Sequence, residues 1–321
     1  MVDAPGDAVT TGHERYEQLI AAAQKQAAVK VAVAHPCDES SMRGVAEAMR
    51  LHLIEPILVG PVDRIRRAAD EVGLDIKGVE VVDAEHSHAA AAKAVELVRA
   101  GKAEALMKGS LHTDELMGAV VSSASGIRTE RRISHCFIMD VPGHPDALII
   151  TDAAVNIAPD LDAKVDIIQN AIDLAHAMGS EQPRVAILSA METVTSKVPS
   201  TIEAAALCKM AERGQITGAI LDGPLALDNA ISPEAAAIKK IASPVAGRAN
   251  ILVVPDLEAG NMLAKSLSFL AKADAAGIVL GARVPVILTS RADSLAARLA
   301  SCAVAVMVAA ARRKAAAASI R

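Results

Sequence analysis

Residues 148–188 read LIITDAAVNIAPDLDAKVDIIQNAIDLAHAMGSEQPRVAIL, and their spacing decides the fold class. The apolar run Leu148–Ile150 reads as a short buried strand. A helix follows over Leu161–Met178, where Leu161, Val165, Ile168, Ile172 and Ala175 fall at i, i+4, i+7, i+11 and i+14 along one face. Pro159 and Asp160 supply its start chemistry and Gly179 its stop. Val185–Leu188 is a second strand. The stretch is a strand–helix–strand unit.

The same alternation extends both ways. Upstream strand readings are Val29–Ala34, Pro56–Val59, Val79–Val82, Ala105–Lys108 and His135–Met139; downstream ones are Ala219–Leu221, Ile251–Val254, Gly277–Leu280 and Val284–Thr289. These are near-continuous apolar runs, which suits strands buried on both faces of a parallel sheet. Repeated units with right-handed crossovers predict a doubly wound α/β architecture. A chain of 321 residues has room for two such domains. Breaks at Pro142-Gly143-His144-Pro145 and Gly281–Pro285 predict a discontinuous first domain, 1–142 plus 285–321, and a second domain, 143–284.

Composition removes several functions. The formal charge is −5, and the aromatics are Tyr16, Phe137 and Phe269 with no tryptophan. Single-stranded nucleic-acid modules stack bases on aromatics above a basic groove, and duplex binders need cations for the phosphate backbone. The sequence predicts no nucleic-acid partner. The apolar run Ala303–Ala311 is far shorter than the ~20 residues of a membrane span. The polar, acidic N-terminus does not read as a signal peptide. Cys37, Cys136, Cys208 and Cys302 are scattered, the pattern of reduced thiols, so the expected setting is cytoplasmic. Phe137 reads as an ordinary strand residue and Phe269 as a helix residue.

Glycine-rich nucleotide loops, zinc-helix and serine-elbow motifs are missing from the sequence. His86-Ser87-His88 reads as helix-start capping rather than a metal site. The sharpest local feature is Val286-Ile-Leu-Thr-Ser290-Arg291-Ala-Asp293-Ser294. Ser290 stands at the carboxyl end of a buried strand, where open α/β sheets bind ligands. Arg291 stands near a helix N-terminus, already favourable to an anion, and its guanidinium can hold phosphate through two bonds. The competing reading makes Ser290, Asp293 or Ser294 a helix cap and leaves Arg291 in solvent. Strand-to-turn logic recurs at Asp256–Asn261, where Gly260 permits close approach and Asn261 can donate and accept. Lys108 ends a strand, and Arg128, Arg131 and Arg132 form a basic cluster.

Five segments carry a family resemblance: MKGSLHTDEL (107–116), ITDAAVNIAPDL (150–161), DGPLALDNAIS (222–232), SPVAGRANILVVPDLEAGN (243–261) and LTSRADS (288–294). In content and order they resemble the phosphate acetyl/butyryltransferase family, over essentially residues 16–321. The resemblance implies reversible transfer of an acetyl or butyryl group between orthophosphate and coenzyme A, with acyl-CoA, phosphate and acyl phosphate as small-molecule substrates; TSRADS and DGPLALDNA look more like the butyryl-type branch, and chain length stays open between the two. It also implies two α/β domains of the isocitrate- and isopropylmalate-dehydrogenase-like type, a site in the cleft between them, and a homodimer. No tightly bound cofactor and no metal is implied. Ser290 would orient the thiol or acyl group, Arg291 would hold phosphate, and one of Arg128, Arg131 and Arg132 would make a second phosphate contact. Lys108, Asp256, Gly260 and Asn261 complete the candidate site. Acetyl-type relatives place a proposed aspartate base where this chain has Ala297, so the nearest carboxylate is Asp293, either base or cap. Two substrates in one cleft need no covalent enzyme intermediate.

Two other functions compete. One is an NAD(P)-dependent, metal-assisted hydroxy-acid oxidoreductase on the same architecture, for which Asp222 and Asp228 are the suggestive pair. The other is a non-catalytic ligand-sensing domain that keeps the fold.

Overall fold

An apolar run that is to be buried must hydrogen-bond its backbone to neighbouring runs, and here the runs join into one sheet. A computed structural model describes residues 14–290 and 293–319. Its strands are β1 Val29–Ala34, β2 Ile54–Gly60, β3 Glu80–Asp83, β4 Ala105–Lys108, β5 Ser134–Asp140, β6 Leu148–Thr151, β7 Arg184–Leu188, β8 Ile220–Leu225, β9 Ile251–Val253, β10 Asp274–Leu280 and β11 Val286–Ile287. The helices are α1 Glu14–Gln24, α2 Glu39–Arg50, α3 Val62–Glu71, α4 Ser87–Arg99, α5 Thr113–Val121, α6 Leu161–Ala177, α7 Pro199–Glu212, α8 Leu227–Ile231, α9 Pro233–Ile238, α10 Leu257–Phe269 and α11 Leu295–Ser319. Each strand read from the sequence is present. The Asp160 side chain caps α6 by accepting from Ala163 N at 2.9 Å, and Gly179 follows with φ 95°.

The sheet order is β3-β2-β1-β4-β11-β10-β5-β6-β9-β7-β8. The five strands from β3 to β11 run parallel, as do β6, β9, β7 and β8. The wholly parallel expectation fails at the centre, where β10 is antiparallel to both β11 and β5, and β5 to β6. The reason is connection length. A parallel crossover needs roughly a dozen residues or more, and the β5–β6 and β10–β11 connections are too short to provide one.

Alternate residues serve opposite faces. On one face Val29, Val31, Val33, Met107, Cys136, Ile278, Ile287 and Ile251 belong to a single core, continuous across the sheet, with α2, α6, α7 and α11 above it. The other face carries two separate cores. Ala32, Leu106 and Val286 pack under α4 and α5, while Met139, Ile150, Ala186 and Leu252 pack under α8, α9 and α10. Between these two helix groups, above the central strands, the sheet is left open.

Helix α11 is long and apolar enough to cross a membrane by length and composition, more than the run Ala303–Ala311 suggests, but 67% of its apolar window is buried within the protein. Cys302, Ala303, Val304, Ala305 and Val306 are all at most 1% exposed. It is a core helix.

Gly281, in the β10–β11 turn, anchors the basic segment to the sheet. Thr129 Oγ1 donates to Gly281 O at 2.6 Å, and the φ of Gly281 is 85°. A Cβ there would run into the carbonyl oxygen of Arg132. Gly281→Ala is therefore expected to cost about 1–3 kcal/mol, read as a lower urea midpoint at unchanged m value.

Candidate active site

The opening over the central strands is a cleft of about 500 Å³. Lys108, Leu111, His112 and Thr113 enter from the β4–α5 side, and Leu257 and Asn261 from α10. His135 and Phe137 rise from β5, and Leu288, Thr289, Ser290 and Asp293 come from the turn between β11 and α11. Ala154 closes the far side. The lining mixes charged and polar side chains with apolar ones.

The Ser290 turn is built by short-range bonds. Ser290 N donates to Asp293 Oδ2 at 2.6 Å, and Asp293 N returns to Ser290 O at 3.2 Å. The cap of α11 is Ser294, whose Oγ accepts from Ala297 N at 3.1 Å. Asp293 is thus a clasp on the serine backbone. Arg291 lies outside the described residues. Below the turn, buried Arg298 donates to Thr289 Oγ1 at 3.2 Å and to Ser290 O at 2.9 Å. Among the described residues it has no carboxylate partner. Gly44 of α2 makes room for its stem, since a Cβ there would sit 3.2 Å from Arg298 Cδ.

Lys108 is buried at the end of β4, with Nζ donating to Leu111 O at 3.0 Å. Gly260 lets α10 approach the 152–156 loop, because a Cβ there would meet Asp152 O at 2.9 Å. Asn261 Nδ2 ties the same loop by donating to Ala153 O at 3.2 Å. The loop itself is wound on the buried Asp152 carboxylate, which accepts from Ala154 N, Val155 N and Asn156 Nδ2 at 2.9, 3.0 and 2.6 Å. Asp256 caps α10 by accepting from Ala259 N at 2.8 Å.

The basic cluster stands elsewhere. Arg128, Arg131 and Arg132 line a neighbouring cleft of about 520 Å³ with Asn156 and Asp166, on the other side of the 152–156 loop. Arg131 pairs with Asp173 at 2.5 Å, and Arg132 Nε donates to Asn156 Oδ1 at 2.7 Å. The guanidinium of Arg128 has no partner among the described residues. Asp222 accepts from its neighbour Gly223 N at 2.9 Å, while Asp228 pairs with Lys239 at 3.0 Å. His86 caps α4, accepting from Ala89 N at 3.2 Å.

Burial dominates the electrostatics. His135 is held down to about 4 because desolvation of the imidazolium outweighs the attraction of Asp152, so the ring is neutral at pH 7. Its Nδ1 is buried without a hydrogen-bond partner. Burial pushes Cys37 up to about 11 and Cys136, Cys208 and Cys302 up to about 12. These thiols are protonated at neutral pH and are no nucleophiles.

His112, Thr113, His135, Phe137 and Arg298 were not among the residues expected at the site. His112 and Thr113 had a signal, since they follow a strand end directly. Arg298 had a weaker one, a cation inside an apolar helix. His135 and Phe137 had none, because a core strand and a cleft floor have the same composition.

Similarity to known proteins falls on the same segments. The model of a family described as "Phosphate acetyl/butaryl transferase" matches residues 87–306. The chain is 68% identical over 306 residues to a phosphate acetyltransferase of Rhizobium meliloti, covering 95% of this chain and 97% of that one. It is 40% identical over 294 residues to a phosphate butyryltransferase of Clostridium acetobutylicum, covering 92% and 98%. The crystal structure of a branched-chain phosphotransacylase from Enterococcus faecalis superposes with a TM-score of 0.76 at 31% identity, covering 88% of this chain and 99% of that one.

Neutral, buried His135 makes stability pH-dependent. With its folded pKa near 4 and its unfolded pKa near 6.5, the unfolded chain takes up the proton first as pH falls. Its contribution is complete above pH 6.5 and is lost on the way down to about pH 4, on the order of 3 kcal/mol. His135→Gln is expected to flatten that part of the stability–pH curve, measured by urea unfolding at half-unit pH steps.

Proposed function

The chain belongs to the phosphate acetyl/butyryltransferase family, and from that premise we propose that it transfers a short acyl group reversibly between coenzyme A and orthophosphate at the Ser290 cleft. One observation carries the location. Four of the five resembling segments meet there: 107–116 through Lys108 to Thr113, 150–161 through Ala154, 243–261 through Leu257 and Asn261, and 288–294 through Leu288 to Asp293. The fifth, 222–232, packs around buried Asn229, whose Nδ2 donates to Glu192.

The chemistry is direct displacement. The coenzyme A sulfur attacks the acyl carbon of the acyl phosphate, a carbon–sulfur bond forms, and the carbon–oxygen bond to phosphate breaks. The thiol proton ends on the departing phosphate, so the step balances without a covalent enzyme intermediate. Cysteines that are protonated at neutral pH are consistent with this. The phosphate needs positive charge that is already in place. We assign it to Arg291, with buried Lys108 and the guanidinium of Arg298, which has no carboxylate partner among the described residues, adding fixed positive field beneath the turn. Ser290 faces the thiol and the transferring acyl group. Arg128, the cation of its cluster without a side-chain partner among the described residues, is our candidate for the phosphates of coenzyme A in the neighbouring cleft. Coenzyme A is a substrate here, not a resident cofactor.

The oxidoreductase alternative is set aside. The family and the relatives are acyltransferases, and Asp228 is committed to Lys239. We keep the division into domains 1–142 plus 285–321 and 143–284, supported by the two parallel strand groups that flank the centre. It separates β5 from β10, whose antiparallel pairing joins the two groups into one sheet. The four free thiols support a cytoplasmic setting.

Mixing acetyl phosphate with coenzyme A should produce thioester absorbance at low ultraviolet wavelength, and the reverse mixture should consume it. Arg291→Ala is expected to lower kcat/KM by roughly 10²–10³-fold with a raised phosphate KM. An unchanged phosphate KM would overturn that role. Asparagine at 293 keeps an acceptor for Ser290 N–H, so Asp293→Asn should stay within a few-fold of wild type while Asp293→Ala loses turnover. A loss of roughly 10²–10⁴-fold in the asparagine variant would instead make Asp293 the base.

The homodimer is also our proposal, supported by an apolar patch on α10. Phe269 and Leu270 are 72% and 82% exposed beside exposed Met262. Phe269→Glu is expected to move the sedimentation coefficient from dimer to monomer at micromolar protein.

A further inference from the structure

We propose that Phe137 sets the length of acyl chain the cleft accepts, making this chain an enzyme for acetyl and propionyl groups that discriminates against butyryl. The inference rests on the acyl-transfer reading and names the substrate class within it. Phosphate and thiol need charge and hydrogen bonds, which Lys108, Ser290 and Asp293 offer within the cleft. An acyl tail has only apolar atoms to offer, so it must turn toward Phe137, Ala154, Leu257 and Leu288. Phe137 is the bulkiest of these and the only phenylalanine, tyrosine or tryptophan lining the cleft, since Tyr16 packs against the core from α1 and Phe269 is on the surface.

Three observations support this ring where it stands. Its backbone sits inside the sheet, paired to Gly277 of β10 on one side and Ile150 of β6 on the other. Its ring stands edge-to-face on the His135 imidazole, with centroids 4.4 Å apart and planes at 68°. His135 is itself fixed, 2% exposed, lying where a Cβ on Gly277 would come within 3.0 Å of its Nε2. The facing wall is equally rigid, because Asp152 holds the backbone N–H of Ala154 and Asn261 holds the carbonyl of Ala153. A longer chain therefore meets a fixed ring rather than a side chain that can rotate away. An aromatic blocked in its rotamer excludes methylenes by volume, and each excluded methylene is worth roughly 10–200-fold in kcat/KM.

The test compares kcat/KM for acetyl, propionyl and butyryl phosphate in wild type, Phe137→Ala and Phe137→Leu. Phosphate KM is measured in the reverse direction, and thermal unfolding is followed by circular dichroism. Wild type should favour acetyl over butyryl by at least roughly tenfold. The alanine variant should raise the butyryl-to-acetyl ratio by roughly tenfold or more and the leucine variant by less, both with phosphate KM within about twofold of wild type. If the alanine variant fails to fold, the leucine variant decides. Folded variants that keep the wild-type ratio, or a wild type as fast on butyryl as on acetyl, would overturn the assignment while leaving acyl transfer intact. A wild type that transfers no acyl group of any length would overturn the functional reading and this inference with it.

Discussion

The constraint on which the rest of the molecule depends is the unequal cover of its sheet. One face is buried under an unbroken layer, with α11 lying across the centre and side chains from β1 through β9 in a single core. The opposite face is buried in two separate cores, one reaching β10 and the other β5, that do not join. Hydrophobic burial is proportional to the apolar area removed from water, so the continuous face supplies the cohesion that lets the other be interrupted. A cleft placed in a sheet covered equally on both faces would expose core strands. Here it exposes strands whose far side is fully packed, with Cys136 and Ile278 at 0%.

The interruption falls where the connections change character. On either flank, parallel strands need crossover helices, and these helices cover the sheet. In the centre, short links make β5–β6 and β10–β11 antiparallel, and a short link lays no helix over the strands it joins. The site is therefore a consequence of connection length. It then acquires chemistry from the ends of elements on both flanks, each held by an identifiable bond. Asp293 clasps Ser290 N, Arg298 holds Ser290 O from beneath, and Asp152 organises the facing loop.

Much of this was legible in the residues. The strand runs, the α6 boundaries and the position of Ser290 at a strand end followed from periodicity and terminus chemistry, which are local. The central antiparallel pairing was not, because an apolar run buried on both faces looks the same whichever way its neighbour points. Phe137 was hidden for a related reason. Period-two alternation assigns it a face of β5 but cannot say that this face opens into a cleft there. The arginine cluster was legible as a charge and illegible as a place. Only the packed chain shows Arg131 spent on Asp173, Arg132 on Asn156, and Arg128 turned to a second cleft.

The scarcity of aromatics follows from the same arrangement. Long apolar helices on closely packed parallel strands are well served by Ala, Val, Leu and Ile, and α11 buries Ala303 and Ala305 directly against its neighbours. Small side chains let helices and strands approach closely and leave little internal volume for a ring. Phe137 fits at the margin of the α10 core, where the sheet face meets the cleft. Its one flanking polar ring, His135, is tolerated in the same place only as a neutral imidazole, since nothing there could solvate its charge. The gap in the helix layer thus accounts for the aromatic, for its uncharged partner, and for the space in which an acyl group can meet a thiol.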